Sequence, residues 1–175
     1  MAKTHCFWRI VAAASSQEAK MRQIVLSVVL LCAPVAPASA DVDVIEAAPI
    51  AACVSAADGD AVALRACRGA IAQPCLDSDG GYTTYGMVMC YSTEAEAWAS
   101  VINDALERLA AAESDLAPSL ETAQNAWRAY RDAECNYRVN RWGEGSGARV
   151  ALASCIADLS AERGIALTLH EREGN

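Results

Sequence analysis

Between Gln124 and Leu159 the chain reads QNAWRAYRDAECNYRVNRWGEGSGARVALASCIADL: a helical run, a glycine turn, and a second helical run. Cys135 and Cys155 lie ten residues on either side of Gly145, the apex of the turn. Two antiparallel helices folded there bring both cysteines to the same height, roughly 15 Å from the turn at ~1.5 Å per residue. A disulfide needs its Cα atoms within about 7 Å, and neighbouring helices approach that closely only at matched heights. The stretch therefore predicts a helical hairpin stapled across its middle.

Upstream, Met21-Arg22 makes a short basic start to the apolar run Ile24 to Ala33. Pro34 and Pro37 follow, and Ala38-Ser39-Ala40 supplies the small residues at which secretion leaders are cut. The run is shorter than the about 20 residues a membrane span requires. Leu31 is bulky at the position before Cys32, where lipid attachment wants a small residue, so a lipoprotein is disfavoured. Residues 1–20 read as an upstream extension, residues 1–40 as removed, and the product as beginning at Asp41. Its expected location is periplasmic or secreted, with no stable membrane insertion after cleavage.

That cut removes four cations, Lys3, Arg9, Lys20 and Arg22, but only one acid, Glu18. The net charge, −8 for the whole chain, becomes more negative still, and every remaining cation is an arginine. Nucleic acid, whose phosphates need basic partners, is disfavoured, and so are anionic lipid surfaces. A cationic protein partner is favoured.

Cysteine usage points the same way. Of the eight cysteines, Cys6 and Cys32 leave with the leader, and Cys53, Cys67, Cys75, Cys90, Cys135 and Cys155 remain. An even number in a small exported domain reads as a disulfide framework. No C-x-x-C occurs and His170 is the one histidine left, which argues against a zinc site. Sequential pairing is preferred, Cys53–Cys67, Cys75–Cys90 and Cys135–Cys155, and crossed pairings among the first four stay open. Each such loop contributes about 3 kcal/mol in the chain-entropy model.

Residues 41–52, acidic and alanine-rich with Pro49, read as a mobile lead-in to a single helical domain over residues 53–172. Asp60 can cap a short helix that runs to about Gln73 and stops at Pro74. Gly80, Gly81 and Gly86 argue for a loop from Leu76 to Met89, closed at its base by Cys75 and Cys90. Helix is expected to resume at Thr93, with Glu96 completing a capping box. Trp98, Ile102, Ala105 and Leu109 then follow at steps of four, three and four, the pattern of a buried face. Pro118 opens the next helix, whose apolar face is Leu120, Ala123, Trp127, Tyr130 and Tyr137. Ser146 can cap the last helix, which would bury Leu152, Ile156, Leu159, Ala166 and Leu167 and fray near Glu171. No stretch alternates as a strand does, so the fold class is all-α: a small disulfide-stapled helical bundle.

Catalysis finds little support. His170 sits near the end of the last helix, and oxidised cysteines leave no thiolate nucleophile. Asp158 and Glu162, four apart on one helical face, read as a solvated charged face. Asp77-Ser78-Asp79-Gly80 resembles the opening of a calcium loop, whose full pattern needs further oxygen ligands and a glutamate at the twelfth position. Met87, Met89 and Cys90 are a weak pointer to copper(I). No metal or cofactor is assigned. Arg131 and Asp132, about 100° apart around a helix, are expected to seek partners on other helices. The residues chosen for partner binding are Asp77, Asp79, Tyr82 and Tyr85, acids and tyrosines on a loop whose disulfide limits the ordering cost.

The elements AWRAYRDAEC, GEGS and ASCIADLSAERGIALTL resemble the LprI-type lysozyme-inhibitor family. The residues that carry the likeness are Trp127, Tyr130, Arg131, Asp132, Cys135, Gly145, Ser146 and Cys155. Cys90, opening a helix with Trp98, Asn103 and Leu106, also fits, and the likeness runs from about Cys75 to Leu169. Cys53 and Cys67 lie outside the minimal pattern. The resemblance implies an exported, non-catalytic helical domain of a family named for inhibition of lysozyme. Two functions follow: a periplasmic domain that occludes the cleft of a basic cell-wall hydrolase such as lysozyme, or an envelope interaction domain without that activity.

Overall fold

The computed structural model describes residues 48–173. The expected leader and the first part of the lead-in lie outside the described residues. Six α-helices follow in order: α1 (Ala48–Ala56), α2 (Ala61–Ala66), α3 (Ala72–Leu76), α4 (Thr84–Ala112), α5 (Ala117–Asn140) and α6 (Gly147–Glu173), with a single 3-10 turn at Ser114–Leu116. No strand occurs among the described residues, and no helix there is long and apolar enough to cross a membrane.

The long helices α4 and α6 form the most extensive pairing. Trp98, Ile102, Ala105 and Leu109 are buried at the expected spacing. They face a side of α6 built from small residues, with Ala153, Ala157, Ala161 and Gly164 all buried. Small residues let the two backbones approach closely, and Trp98 occupies the room. The indole is wholly buried and joins Ile50 of α1, Leu64 of α2 and Ile71, just before α3, to Ala161 and Ile165 of α6. Truncating a tryptophan in such a position costs about 3–5 kcal/mol.

At the N-terminal end the structure departs from expectation. Helix α1 begins at Ala48 and buries Ile50 completely, so the lead-in ends sooner than residue 52. Pro49 is compatible because a first turn needs no amide from it. The Asp60 cap forms, Oδ1 accepting from Val62 N and Ala63 N at 3.0 and 2.7 Å. The helix it starts is short, however, and Gly69, at φ +81°, turns the chain into the separate α3.

Helix α3 has no cap from its own Ile71. Its free amides are met by Glu94, a buried carboxylate reaching across from α4. Glu94 accepts from Gly69 N at 2.6 Å, Ile71 N at 3.2 Å, Ala72 N at 2.7 Å and Trp98 Nε1 at 3.4 Å. A helix start leaves backbone donors without partners, and a buried acid is tolerated where such donors surround it.

All three disulfides pair sequentially, with Cα–Cα distances of 5.7 Å for Cys53–Cys67, 5.5 Å for Cys75–Cys90 and 5.5 Å for Cys135–Cys155. The α5–α6 hairpin is stapled as the spacing implied, and both of its cysteines are fully buried. Within the turn Gly143, at φ +61°, takes the left-handed conformation, while the Gly145 carbonyl accepts from Ala148 N at 3.0 Å. A second tie joins Arg163 Nε to the buried Gln124 Oε1 at 2.9 Å, and burial lowers the Arg163 pKa from its ordinary value. Helix α5 otherwise presents little to the core. Trp127 is half-buried against Ile102, Leu109 and Leu167, but Tyr130 and Tyr137 are 56% and 58% exposed, contrary to the expected buried face. One wall of contact, against α6, covers only part of the helix. On α6 the expected positions Leu159 and Leu167 are buried, whereas Leu152 lies at the surface.

Candidate functional site

The segment closed by Cys75 and Cys90 is half helical rather than one long loop. Helix α4 begins at Thr84, well before the expected Thr93, and Gly86 lies inside it. The start is set by Thr83, whose Oγ1 accepts from Gly86 N at 2.9 Å and donates to the Gly80 carbonyl at 2.7 Å. Thr93 instead donates from its hydroxyl to the Met89 carbonyl within the helix. Gly86 is retained for contact: a Cβ there would stand 2.1 Å from the Gly80 carbonyl oxygen. The glycines thus mark where backbone meets backbone, not where helix is forbidden.

The true loop is residues 77–83, and it is tightly bonded to itself. Gly81 N donates to Ser78 O at 3.0 Å and Thr83 N to Gly80 O at 3.0 Å. The Ser78 hydroxyl donates to the Cys75 carbonyl at 2.6 Å. Gln73 Nε2 donates to Asp77 Oδ1 at 3.1 Å, which anchors the first acid. Gly81 is buried, and a Cβ on it would lie 2.3 Å from the Cys75 carbonyl oxygen. Outward from this frame point Asp77, Asp79, Tyr82 and Tyr85, with the two tyrosines 67% and 75% exposed. Tyr85 stands on the first turn of α4, so helix as well as loop presents these side chains.

Thr84 also borders an open groove of about 950 Å³ whose other lining residues, Met87 apart, come from the α5–α6 hairpin. Arg138, Arg141 and Trp142 line it from the end of α5, and Ser146 and Gly147 from the start of α6. Met87, one of the weak copper pointers, is part of its apolar wall. Cys90 is held in its disulfide.

Arg131 and Asp132 do bond one another, against expectation. Arg131 Nε and Nη2 both donate to Asp132 Oδ1, at 2.9 and 2.8 Å. The guanidinium also lies over the Trp127 ring, 5.1 Å from its centroid. A long arginine can lie along its own helix, reaching one turn back and one residue forward together. Asp132 is exposed, so the ion pair itself is worth ~1 kcal/mol at most. Tyr130 and Asp132 thus lie on the exposed side of α5, with Arg131 partly covered beside the half-buried Trp127, and the Arg131–Asp132 pair makes no bridge to another helix. Gly145 and Ser146 close the turn before α6.

Asp158 and Glu162 share Arg68, at 3.2 and 3.6 Å, as a surface ion-pair cluster. Among the described residues no group of histidine, cysteine, aspartate and glutamate is arranged to hold a metal. The buried Glu94 is not among the residues that sequence motifs single out. Its signal was position, four residues before Trp98 on the face that the apolar spacing marks as buried.

Compared with models of known protein families, residues 75–167 match the one described as lysozyme inhibitor LprI. No curated protein and no solved structure matches the chain. The match begins at Cys75 and takes in two disulfides, leaving the Cys53–Cys67 bridge and helices α1 and α2 outside it.

Proposed function

The chain belongs to the LprI lysozyme-inhibitor family, and from that membership we propose that it is an exported periplasmic domain which inhibits lysozyme or a similar basic cell-wall hydrolase. The observation that carries this reading is the dense internal bonding of residues 77–83. A disulfide, a threonine cap and two backbone-packed glycines hold the loop while Asp77, Asp79, Tyr82 and Tyr85 face solvent. A loop already ordered before binding loses little conformational freedom on entering a cleft. Tyrosine brings large contact area with few rotatable bonds, and acids complement a cationic partner. The negative charge, −8 for the whole chain and more negative once the expected leader is cut, accelerates encounter with such a partner and loses that effect as salt is raised. Three disulfides fit an oxidising compartment, and the domain acts by contact rather than turnover.

Clearing of a cell-wall suspension by lysozyme, followed by turbidity with the secreted protein titrated in, tests the reading. Slowing should appear at micromolar protein, and the Asp77→Asn/Asp79→Asn double variant should raise the half-inhibitory concentration by about tenfold, ~1.4 kcal/mol. Unaltered clearing at micromolar protein would instead favour an envelope interaction domain without this activity. Full potency in the double variant would remove the loop from the interface.

A further inference from the structure

The groove beside the loop carries chemistry that binding a basic hydrolase does not use. In a chain with 22 acids and 14 basic residues, its charged lining consists of Arg138 and Arg141, with no carboxylate. Arg138 is engaged, Nε donating to Glu134 Oε1 at 3.0 Å. Arg141 is exposed and joins no ion pair among the described residues. Its guanidinium is therefore available to an outside anion, and its planar fork matches a carboxylate through two parallel hydrogen bonds.

Next to it stands Trp142, 60% exposed. Folding gains little from leaving an indole in water, yet this ring is held in place. A Cβ on Gly147 would lie 2.6 Å from Cε3 and 2.7 Å from Cζ3, so the six-membered ring rests on the bare backbone where α6 begins. The result is an aromatic plate seated against backbone at its six-membered ring, with its remaining surface open. Met87 and Val150 add apolar wall, and Thr84, Ser146 and Ser154 bring hydroxyl groups to the lining. Pockets that combine apolar surface with a few placed polar groups are the usual form of small-molecule sites, and about 950 Å³ lies at the roomy end of their range.

We propose that this groove binds a saccharide bearing a carboxylate. The C–H face of the sugar ring lies on Trp142, the carboxylate is held by Arg141, and ring hydroxyls meet Ser146 and Thr84. A plate with aliphatic walls suits a pyranose better than a compact inorganic anion. One unengaged guanidinium suits a monoanion better than a phosphate dianion. Of the residues invoked only Thr84 falls within residues 77–85, while Arg141 and Trp142, which carry the proposal, lie on the α5–α6 turn, so either proposal can fail alone.

Titration of the secreted protein, by calorimetry or ligand-observed NMR, with N-acetylmuramic acid and N-acetylglucosamine tests this. The two sugars share a ring and differ by a carboxylate-bearing arm. Saturable binding is expected in the millimolar range, with a preference of about tenfold for the acid, ~1.4 kcal/mol. Arg141→Gln should level the two sugars, and Trp142→Ala should abolish binding of both. Both residues are exposed, and an unchanged circular dichroism spectrum certifies that each variant is folded. Glucuronic acid, run in parallel, separates a general acidic-sugar site from one that reads the muramyl arm. Absence of saturation by either acidic sugar at tens of millimolar would overturn the proposal. So would a preference that survives Arg141→Gln, or inorganic phosphate binding more tightly than the acids.

Discussion

The indole of Trp98 lies against the bare backbone of Gly164, where a Cβ would stand 2.7 Å from Cε3 and 3.1 Å from Cζ3. That contact joins α4 and α6, the pair against which every other described element packs. It also explains why a glycine is kept in the middle of a long helix, where it costs up to ~1 kcal/mol against alanine.

Gly164→Ala should therefore destabilise the domain although it improves helix propensity. Overpacking a close-fitted core costs about 1–3 kcal/mol, against which the propensity gain is ~1 kcal/mol. A urea transition moved to lower denaturant with an unchanged slope is the expected result. A variant more stable than the parent would mean that the ring yields easily, and that the contact does not limit the helix spacing.

Glu94→Gln is expected to loosen the α2–α3 corner. Only one side-chain oxygen remains, and an amide N–H₂ is turned toward the Gly69, Ile71 or Ala72 amides that the carboxylate now serves. Leaving a buried donor without its acceptor costs about 1–3 kcal/mol. Hydrogen exchange at Gly69 and Ala72 should accelerate before the amides of α6 do. Uniform protection in the variant would show that water or a shifted turn replaces the carboxylate.

Substitution of Gly81 by alanine probes the loop frame without touching its exposed acids or tyrosines. The new methyl meets the Cys75 and Leu76 carbonyl oxygens at 2.3 and 2.4 Å, so backbone must move. On the inhibitor function proposed above, inhibition should weaken by tenfold or more, a loss of about 1.4 kcal/mol or greater, while the helical content stays constant. Parental inhibition by a folded Gly81→Ala protein would disconnect loop geometry from activity.

Tyr130→Ala and Tyr137→Ala should each change stability by less than about 1 kcal/mol. More than half of each side chain is in water, and surface substitutions away from special contacts have small effects. Thermal melts of the two variants decide this. A loss near 3 kcal/mol, the scale of a buried aromatic, would mean that these rings are covered in solution.

Much of this architecture is local enough to be read without coordinates. The Cys135–Cys155 staple follows from equal distances to a glycine turn, because helical rise alone fixes the height of a residue. The buried face of α4 follows from its four-three-four spacing, because one turn repeats the same side of a cylinder. The Asp60 cap is legible for the same reason, all its partners lying within three residues. Three features required the assembled fold. Helix α4, capped by Thr83, can keep Gly86 in its first turn because the Gly80 and Gly81 backbone packs onto it, a contact that glycine composition alone reads as a breaker. Helix α5 leaves Tyr130 and Tyr137 in water because it has one packing neighbour of any extent, and an apolar spacing does not say how much of a face will be covered. Glu94 is buried because the amides that solvate it come from a turn more than twenty residues earlier in the chain, and only folding brings donor and acceptor together. Periodicity is a property of one helix; exposure, and with it every surface available to a partner, is a property of the packing between helices.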